Sequence, residues 1–325
     1  MGPMSRVVCL GEALIDFVSD VSGVDLMDAP GFRKAPGGAP ANVAVGVAKL
    51  GTSAAFLGKV GDDPFGRFLA RSFGEAGVDT SHMLFDTKAR TGLAFVSLAP
   101  DGERDFCFFR NPSADMLLTP EELPVDLLRG CKVFHYGSIT LIQDPSRAAT
   151  LRAIEVAKEA GAIISYDPNL RLPLWPSADA AREGMLSGLP HADFVKVSEE
   201  ELEFLFGSDD VPDGIGKLHD MGIALIAVTA GANGCTLSDG ERQVSHTGFR
   251  VNAKDTTGAG DGFVAAVLRH LVEADRGTPL KALPKDEIEA LARYANAVGA
   301  ITTTQKGAIP ALPTAEAVQD FLNTH

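Results

Sequence analysis

The sequence predicts an α/β fold in which helices flank a doubly wound, mostly parallel sheet that carries a small β-sheet lid. From residue 131 onward, four apolar runs alternate with four helical patterns, which is typical of a parallel sheet covered on both faces. The apolar runs lie at 131–136, 161–166, 192–197 and 223–229, and the helical patterns at 146–160, 177–188, 199–206 and 213–221.

The N-terminal part of the chain supplies further elements of the same kind. Short apolar runs at 7–10 and 54–58 predict two buried strands. A helix of small residues is predicted between them at about 40–50, and another helix at 67–76 follows the second strand.

Two β-rich runs, at 91–98 and 104–110, flank the turn sequence Pro100-Asp-Gly-Glu103 and predict a hairpin. The hairpin interrupts the α/β alternation, as does an irregular excursion at 18–36 that is rich in Gly, Pro and Asp. We expect segments at about 17–36 and 90–112 to form a small sheet that serves as a lid.

The C-terminal part is predicted to be mainly helical. Helices are expected at roughly 261–273, 286–301 and 314–323, with a turn segment at 302–310. No repeat or low-complexity linker divides the chain, so residues 1–325 are interpreted as a single domain.

Composition excludes several classes of protein. Hydrophobic residues make up 45% of the chain and the formal net charge is -14, which argues against nucleic-acid binding or docking on anionic membranes. The four cysteines are scattered without metal-like spacing, so free thiols in a reducing compartment are expected. No signal peptide and no membrane-length apolar run is found, and the expected location is cytoplasmic.

The most informative stretch is Asp255-Thr-Thr-Gly-Ala-Gly-Asp-Gly262, which precedes a predicted helix. Gly258, Ala259 and Gly260 form a small-residue turn whose N–H groups, together with the helix N-terminus, would attract an anion. Asp261 is either an N-cap, worth about 1 kcal/mol, or the base of a phosphoryl transfer to a hydroxyl. A dinucleotide site is disfavoured because Phe263 occupies the last glycine position of that fingerprint.

A second glycine-rich segment begins at Pro36. Gly37 and Gly38 allow the backbone to approach a ligand closely, and Asn42 follows at the start of the predicted helix. A glycine turn beside a helix cap explains the same pattern without a ligand. Asp16, after the first strand, is either a satisfied structural acid or a group that binds a hydroxyl.

Polar residues also follow the later strands, where ligands bind in folds of this class. Asp167 and Asn169 follow one strand, while the segments 198–201 and 229–231 follow two others. Two arginines also stand at the end of a predicted strand or in the loop after it. Each is either a solvated charge or a residue that reaches into the cleft. They are Arg110 at the end of the hairpin and Arg171 in the loop after 167.

With both glycine motifs present, the sequence resembles the ribokinase-like (PfkB-type) carbohydrate kinases over nearly its whole length. The segments that show this resemblance are 37–42, which continues to 58–66, and 255–261. Four further segments are similar to the fructokinase branch, namely 11–17, 109–117, 167–176 and 196–204.

The resemblance implies a role for each candidate residue. Asp261 would be the base and Gly258, Ala259 and Gly260 the anion hole. The residues implied to bind the sugar or the phosphate region are Asp16, Gly37, Gly38, Asn42, Arg110 and Arg171. The residues implied on the nucleotide side are Ser198, Glu201, Thr229, Gly231, Gly234 and Asn296.

Two ions are implied as well. Glu201 matches the family residue that orients Mg²⁺-bound water, whereas Ser198 replaces the family's Asn. Asp255 and Thr257, with carbonyls near Thr303 and Lys306, match a monovalent-cation site that would take K⁺.

The resulting functional hypothesis is an ATP-dependent fructokinase that uses Mg²⁺ and forms fructose 6-phosphate. A 2-keto-3-deoxygluconate kinase or another sugar kinase of the same family is the enzymatic alternative. A catalytically idle sugar-binding regulatory protein is the alternative of another class. The exposed lid edges also suggest a homodimer.

Overall fold

The computed structural model describes residues 6–98, 104–274, 280 and 283–325. Within these ranges the chain forms one sheet of nine strands and one of four. The nine are β1 (Val7–Leu10), β4 (Ala54–Gly61), β5 (Met83–Asp86), β8 (Val133–Gly137), β9 (Ile163–Asp167), β10 (Phe194–Ser198), β11 (Leu225–Thr229), β12 (Cys235–Ser238) and β13 (Gln243–His246). The four are β2 (Leu14–Ser19), β3 (Phe32–Gly37), β6 (Gly92–Leu98) and β7 (Arg104–Phe109).

The described helices lie on both faces of the large sheet. They are α1 (Ala39–Lys49), α2 (Pro64–Glu75), α3 (Val125–Gly130), α4 (Ser146–Glu159), α5 (Ala178–Gly188), α6 (Glu199–Phe206), α7 (Val211–Asp220), α8 (Ala259–Glu273), α9 (Lys285–Thr303), α10 (Ala308–Ala311) and α11 (Ala315–Thr324). None of these helices has both the length and the apolar character needed to cross a membrane.

The nine-stranded sheet has the order β13-β12-β11-β10-β9-β8-β1-β4-β5. Its neighbouring strands are parallel except where β12 pairs antiparallel with β11 and β13. Successive residues of β1 face two different cores: Val7 and Cys9 pack with α1 and α8, whereas Val8 and Leu10 pack with α4. The predicted mostly parallel sheet with helices on both faces is therefore confirmed.

Strand order reverses next to β1, because the chain adds β4 on one side of β1 and β8 on the other. Ligands bind at such a switch point, beyond the carboxyl ends of the strands. The residues that follow β1, β8 and β9 therefore lie where a site is expected.

The four-stranded sheet has the order β3-β2-β6-β7, and only its β2–β6 pair is parallel. Aromatic rings join its strands: Phe95 stacks on Phe17 with ring centroids 4.9 Å apart and meets Phe32 edge-on. The predicted small sheet is therefore confirmed, although it begins at Leu14 rather than near residue 17; its role as a lid stays a prediction. The predicted turn at 100–103 lies outside the described residues.

Several sequence expectations were wrong in detail. The stretch 18–36 is not only an irregular excursion, because it contains the end of β2 and most of β3. Asp16 lies inside β2 and not at the end of the first strand. The sequence also gave no indication of β5, β12 and β13, which have only four residues each.

Candidate active site

The first turn of α8 is built from small residues. Gly258, its N-cap, has φ +80°, and a β-carbon there would lie 2.6 Å from Cβ of Ala308. Only glycine fits such a left-handed, crowded position. The N–H of Ala259 makes a long hydrogen bond of 3.3 Å to the carbonyl of Thr256. Because the first N–H groups of a helix have no partner within the helix, this end of α8 can bind an anion.

Asp261 lies in this first turn and is only 6% exposed. Its Oδ2 accepts a hydrogen bond from the side-chain amide of Asn42 at 2.8 Å, and its Oδ1 accepts one from Asn169 at 3.3 Å. Asn42 comes from the first turn of α1, and Asn169 follows β9 with φ +48°. Three segments distant in sequence therefore meet at one carboxylate, and the N-cap position of the helix belongs to Gly258 rather than to Asp261.

Burial raises the pKa of Asp261 above the ordinary range of an aspartate. The hydrogen bond from Asn42 opposes this rise, as do the charges of Arg171 and Lys196 and the hydrogen bond from Asn169. A carboxylate that is basic and yet held ionised by its neighbours is suited to take a proton.

Lys196, on β10, is an unpredicted member of the site. Its Nζ lies 3.3 Å from Oδ2 of Asp167 and 3.8 Å from Oε2 of Glu201. Burial would lower the pKa of Lys196, but Asp167, Glu201 and Asp261 together raise it, so the ammonium stays charged. Burial raises the pKa of Asp167 to about 7, against the opposing charge of Lys196. A lysine within an apolar strand pattern was the signal for this cluster.

Ser198 and Glu201 form a capping box at the start of α6. Ser198 Oγ accepts from the N–H of Glu201 at 3.1 Å, and Oε2 of Glu201 accepts from the N–H of Ser198 at 2.8 Å. Oε1 of Glu201 accepts from the N–H of Leu170 at 2.7 Å and so ties the loop after β9 to the first turn of α6. The Ser-x-x-Glu spacing is a sequence signature of this box. The capping hydrogen bond explains why a serine is suited to position 198.

Asp16 and the glycine pair lie together where β3 leads into α1. A β-carbon on Gly37 would lie 2.3 Å from Oδ2 of Asp16, and one on Gly38 would lie 2.2 Å from the carbonyl oxygen of Glu12. Gly38 also has φ +111°. The side chain of Glu12 accepts from the N–H of Ala39 at 2.8 Å, which fixes the turn. Burial raises the pKa of Glu12 to about 7.

The two arginines have different surroundings. Arg110 is buried and forms an ion pair with Asp115, so the alternative of a solvated charge was wrong for it. Arg171 is exposed and donates to the carbonyl of Leu170 at 2.9 Å, while its charge also acts on Asp261. Of the two arginines, Arg171 is therefore the one whose charge acts on the pKa of Asp261.

The other predicted nucleotide residues lie at the end of β11, in the loop after it and in α9. Thr229 Oγ1 donates to the carbonyl of Val197 at 3.4 Å, and Gly231 and Gly234 have positive φ values of 54° and 96°. Asn296 is buried in α9, where its side-chain amide contacts Cys235 Sγ at 3.0 Å and the carbonyl of its own helix four residues back at 2.8 Å. No described contact joins these residues to Asp261.

Asp255 makes hydrogen bonds to the other segments of the predicted cation site. Its Oδ1 accepts from the N–H and Oγ1 of Thr257 at 3.0 and 2.6 Å, and its Oδ2 accepts from the N–H of Gly307 at 2.8 Å. Its own N–H donates to the carbonyl of Thr303 at 3.2 Å. The Lys306 carbonyl belongs to the same peptide group as the Gly307 N–H. Within the described ranges, no group of three or more His, Cys, Asp and Glu side chains could hold a metal ion.

Two buried acceptors in the site have no hydrogen-bond donor within the described structure. They are Oδ1 of Asn42 and Oδ2 of Asp167, the latter lying 3.3 Å from the Lys196 ammonium in an ion pair. Leaving a buried polar atom unpaired costs free energy, so such atoms indicate where a ligand donates.

Comparison with known proteins identifies the family of the chain. Residues 4–315 match the model of the pfkB family carbohydrate kinases. The probable fructokinase-4 of Arabidopsis thaliana is 56% identical over 324 residues, covering 99% of this chain and 98% of the relative. Fructokinase-1 of Oryza sativa subsp. japonica is 54% identical over 314 residues, covering 96% of each.

Two solved structures share the fold over nearly the whole chain. Fructokinase from Xylella fastidiosa with bound ATP has a TM-score of 0.90 and 35% identity, covering 99% of both chains. A double mutant of the Vibrio cholerae O395 fructokinase in its fructose, ADP and potassium ion bound form has a TM-score of 0.87 and 38% identity, covering 98% of this chain and 99% of that one. The chain belongs to the pfkB family of carbohydrate kinases.

Proposed function

We propose that this protein is an ATP-dependent fructokinase that transfers the γ-phosphoryl group of ATP to the 6-hydroxyl of D-fructose. The observation that carries the proposal is the buried Asp261 carboxylate, which Asn42 and Asn169 orient at the N-terminus of α8. The fructokinase names of the relatives, at 56% and 54% identity, support the choice of sugar.

Asp261 acts as the general base. Its carboxylate takes the proton of the 6-hydroxyl while the sugar oxygen attacks the γ-phosphorus, and the bond from that phosphorus to the bridging oxygen of ADP breaks. The amides of Gly258, Ala259 and Gly260 face the oxygens of the transferring group, where negative charge has to be stabilised. In-line placement and charge neutralisation supply most of such a catalysis.

The sugar is held by Asp16, Gly37, Gly38 and Asn42. A neutral sugar presents hydroxyl donors, and the unpaired Oδ1 of Asn42 is a buried acceptor that needs one. Arg171 interacts with the phosphate region, and its effect on the pKa of Asp261 supports this role. Arg110 contributes to substrate binding by holding the end of β7 against Asp115, since that ion pair occupies its guanidinium.

On the nucleotide side, ATP lies along Ser198, Thr229, Gly231 and Gly234, with Asn296 next to the adenine. Gly231 has a positive φ and open space where a β-carbon would stand, so it leaves bare backbone after β11, as a phosphate-binding loop requires. Gly234 closes the same loop, and its α-carbon packs against the carbonyl of His246. The Xylella fastidiosa relative with bound ATP supports the choice of nucleotide.

Mg²⁺ accompanies ATP, and the residues fit a hydrated form of that ion. Carboxylate oxygens and waters are its preferred ligands, and Glu201 lies beside Asp167, whose Oδ2 has no hydrogen-bond donor among the described residues. Glu201 would hold the ion through a water, since backbone N–H groups already bind both of its oxygens. When bound, the ion neutralises charge on the phosphates.

K⁺ binds next to the anion-binding turn, at Asp255 and Thr257 with carbonyls of Thr303 and Lys306. The contacts that bring these segments to the Asp255 carboxylate support the site. The potassium-bound Vibrio cholerae relative supports the choice of ion.

The protein also forms a homodimer through its small sheet. The strands β3 and β7 are the edges of that sheet, and unpaired edge strands invite pairing with a second copy. Phe109, on β7, is 60% exposed and Val18, on β2, is 43% exposed. Sedimentation should give a dimer mass for the natural chain and a monomer mass for Phe109→Asp.

The compartment is the cytoplasm. All four cysteines are free, and Cys9, Cys131 and Cys235 are buried, as expected for a reducing environment.

A substrate panel tests the activity. The purified protein, ATP and Mg²⁺ are combined with fructose, glucose, ribose or 2-keto-3-deoxygluconate, each with and without K⁺, and ADP release is followed. We expect the highest kcat/KM with fructose, and phosphorus NMR of the product should place the ester at C6. Preferred turnover of the keto-acid sugar would contradict the proposal, and fructose binding without turnover would favour the idle regulatory protein.

A further inference from the structure

Lys196 stands in the middle of β10, where a strand buried on both faces ordinarily carries an apolar side chain. Its Nζ lies 3.3 and 3.4 Å from the two carboxylate oxygens of Asp167 and 3.8 Å from Glu201. Charge-assisted hydrogen bonds are shorter, at about 2.7–2.9 Å. The ammonium is therefore held between the two acids without being saturated by either.

The same ammonium lies against the first turn of α8. A β-carbon built on Gly260 would be 3.3 Å from Nζ and 3.7 Å from Cε of Lys196. Because Gly260 has no side chain, nothing of that residue separates the buried cation from the turn. The charge of Lys196 also lowers the pKa of the neighbouring Asp261 carboxyl group, against the rise caused by burial.

The charge balance of the site explains why a cation is needed there. Asp167, Glu201 and Asp261 bring three carboxyl groups to the place where a polyphosphate would have to bind. Arg171 also offers a positive charge, but it is exposed and screened by solvent. A buried cation is screened much less and acts more strongly on a developing negative charge.

We propose that Lys196 is a positioning residue for phosphoryl transfer, whose ammonium orders Asp167 and Glu201 and keeps the α8 turn positive. The inference rests on the proposed function. The competing explanation is that Lys196 only neutralises a buried Asp167 and has no part in the reaction.

The first experiment replaces the lysine with a neutral side chain of similar length. In Lys196→Met we expect kcat to fall by about 100-fold, as when one donor to a transition-state anion is removed. The KM for fructose should change less than kcat, because the sugar-binding residues keep their contacts. This variant leaves Asp167 buried without its cation, so a second variant is needed in case it folds poorly.

The second variant removes both charges. Lys196→Met combined with Asp167→Asn is compared with Asp167→Asn alone. Both variants lack the Asp167 charge, so the comparison measures only the effect of the lysine. We expect similar melting temperatures but a kcat at least about tenfold lower in the double variant. Equal kcat values would reduce Lys196 to a structural counter-ion and overturn the inference.

A binding measurement gives a readout besides turnover. Calorimetry is performed with ADP, Mg²⁺ and aluminium fluoride in the presence of fructose, a mimic of the transferring phosphoryl group. The double variant should bind this mimic at least about tenfold more weakly than Asp167→Asn, while both bind fructose alone equally. Equal affinities for the mimic would contradict the role of Lys196. Failure of the natural chain to phosphorylate fructose would instead overturn the proposed function.

Discussion

The side-chain amide of Asn42 donates to Oδ2 of Asp261 at 2.8 Å, across 219 positions of the chain. The contact joins the first turn of α1 to the first turn of α8. The two helices approach closely because small residues face each other, and a β-carbon on Gly46 would lie 2.6 Å from Cβ of Ala265. The geometry of the proposed base therefore depends on helix packing several residues away.

Replacing Asp261 with Asn should abolish most turnover. The isosteric amide cannot take a proton, and loss of a general base lowers kcat by about 10²- to 10⁴-fold. Fructose affinity, measured by calorimetry, should change little. The matched control is Glu316→Gln, which removes an exposed acid from the first turn of α11. Comparable kcat values for Asp261→Asn and the natural chain would place the base elsewhere.

The pH profile of kcat should report the raised pKa of Asp261. Only the ionised carboxylate is a base, so activity falls as the pH drops through this pKa, above the value of about 3.9 for a free aspartate. Asn42→Asp replaces a hydrogen bond that lowers the pKa with a like charge that raises it. The acid limb of kcat should therefore move to higher pH in that variant. An unmoved limb would exclude Asp261 as the titrating group.

Gly37→Ala should weaken sugar binding selectively. The new β-carbon would lie 2.3 Å from Oδ2 of Asp16 and displace that carboxylate. Losing a hydrogen bond to a charged group costs about 1.5–3 kcal/mol, so the KM for fructose should rise about tenfold or more. The KM for ATP should stay the same. Gly216→Ala, whose β-carbon meets nothing within 4 Å, is the control; an unchanged fructose KM in Gly37→Ala would remove Asp16 from the sugar site.

Asp255→Asn should abolish activation by K⁺. The amide lacks the charge that would attract the ion, and it also weakens the contacts to Thr257 and Gly307. Rates are compared in KCl and in choline chloride of equal ionic strength. The natural chain should be faster in KCl, whereas the variant should have equal rates in both salts. Equal rates of the natural chain in KCl and in choline chloride would contradict the proposed cation site.

Gly46→Ala should lower the free energy of unfolding. Alanine favours a helix over glycine by about 1 kcal/mol, but the added methyl group collides with Ala265 on α8. Overpacking of this kind costs about 1–3 kcal/mol, so we expect it to exceed the gain in helix propensity. Urea unfolding followed by circular dichroism measures the change. In the exposed Gly216→Ala control on α7, the helix propensity acts alone and stability should rise or stay the same.

The sequence predicted the parallel part of the fold well because those strands are buried on both faces. The runs that became β8, β9, β10 and β11 are short, mainly apolar stretches that alternate with helical patterns, which is typical of parallel strands covered on both faces. By contrast, β12 and β13 are four-residue antiparallel strands, and β13 alternates exposed and half-buried residues. Such short strands are held by their neighbours and leave little local signal.

The site was predictable only in part. Asp261, Asn42 and Gly37 stand in recognisable motifs, but no local pattern says that Asn42 reaches Asp261. That meeting depends on how α1 packs on α8. Lys196 was hidden inside an apolar run, and its importance became visible only when Asp167 and Glu201 were found beside it.

The path of the chain through the small sheet separates two properties of the enzyme. Asp16 lies on β2 and Gly37 ends β3, whereas Asp261 belongs to a helix of the main body. On the proposed assignment, Asn42 serves both the sugar and Asp261, whereas Asp16 and Gly37 contact the sugar from strands separate from the turn where phosphate is transferred. New substrate preferences can therefore evolve in this fold by exchange of β2 and β3 residues, with the chemical step inherited intact.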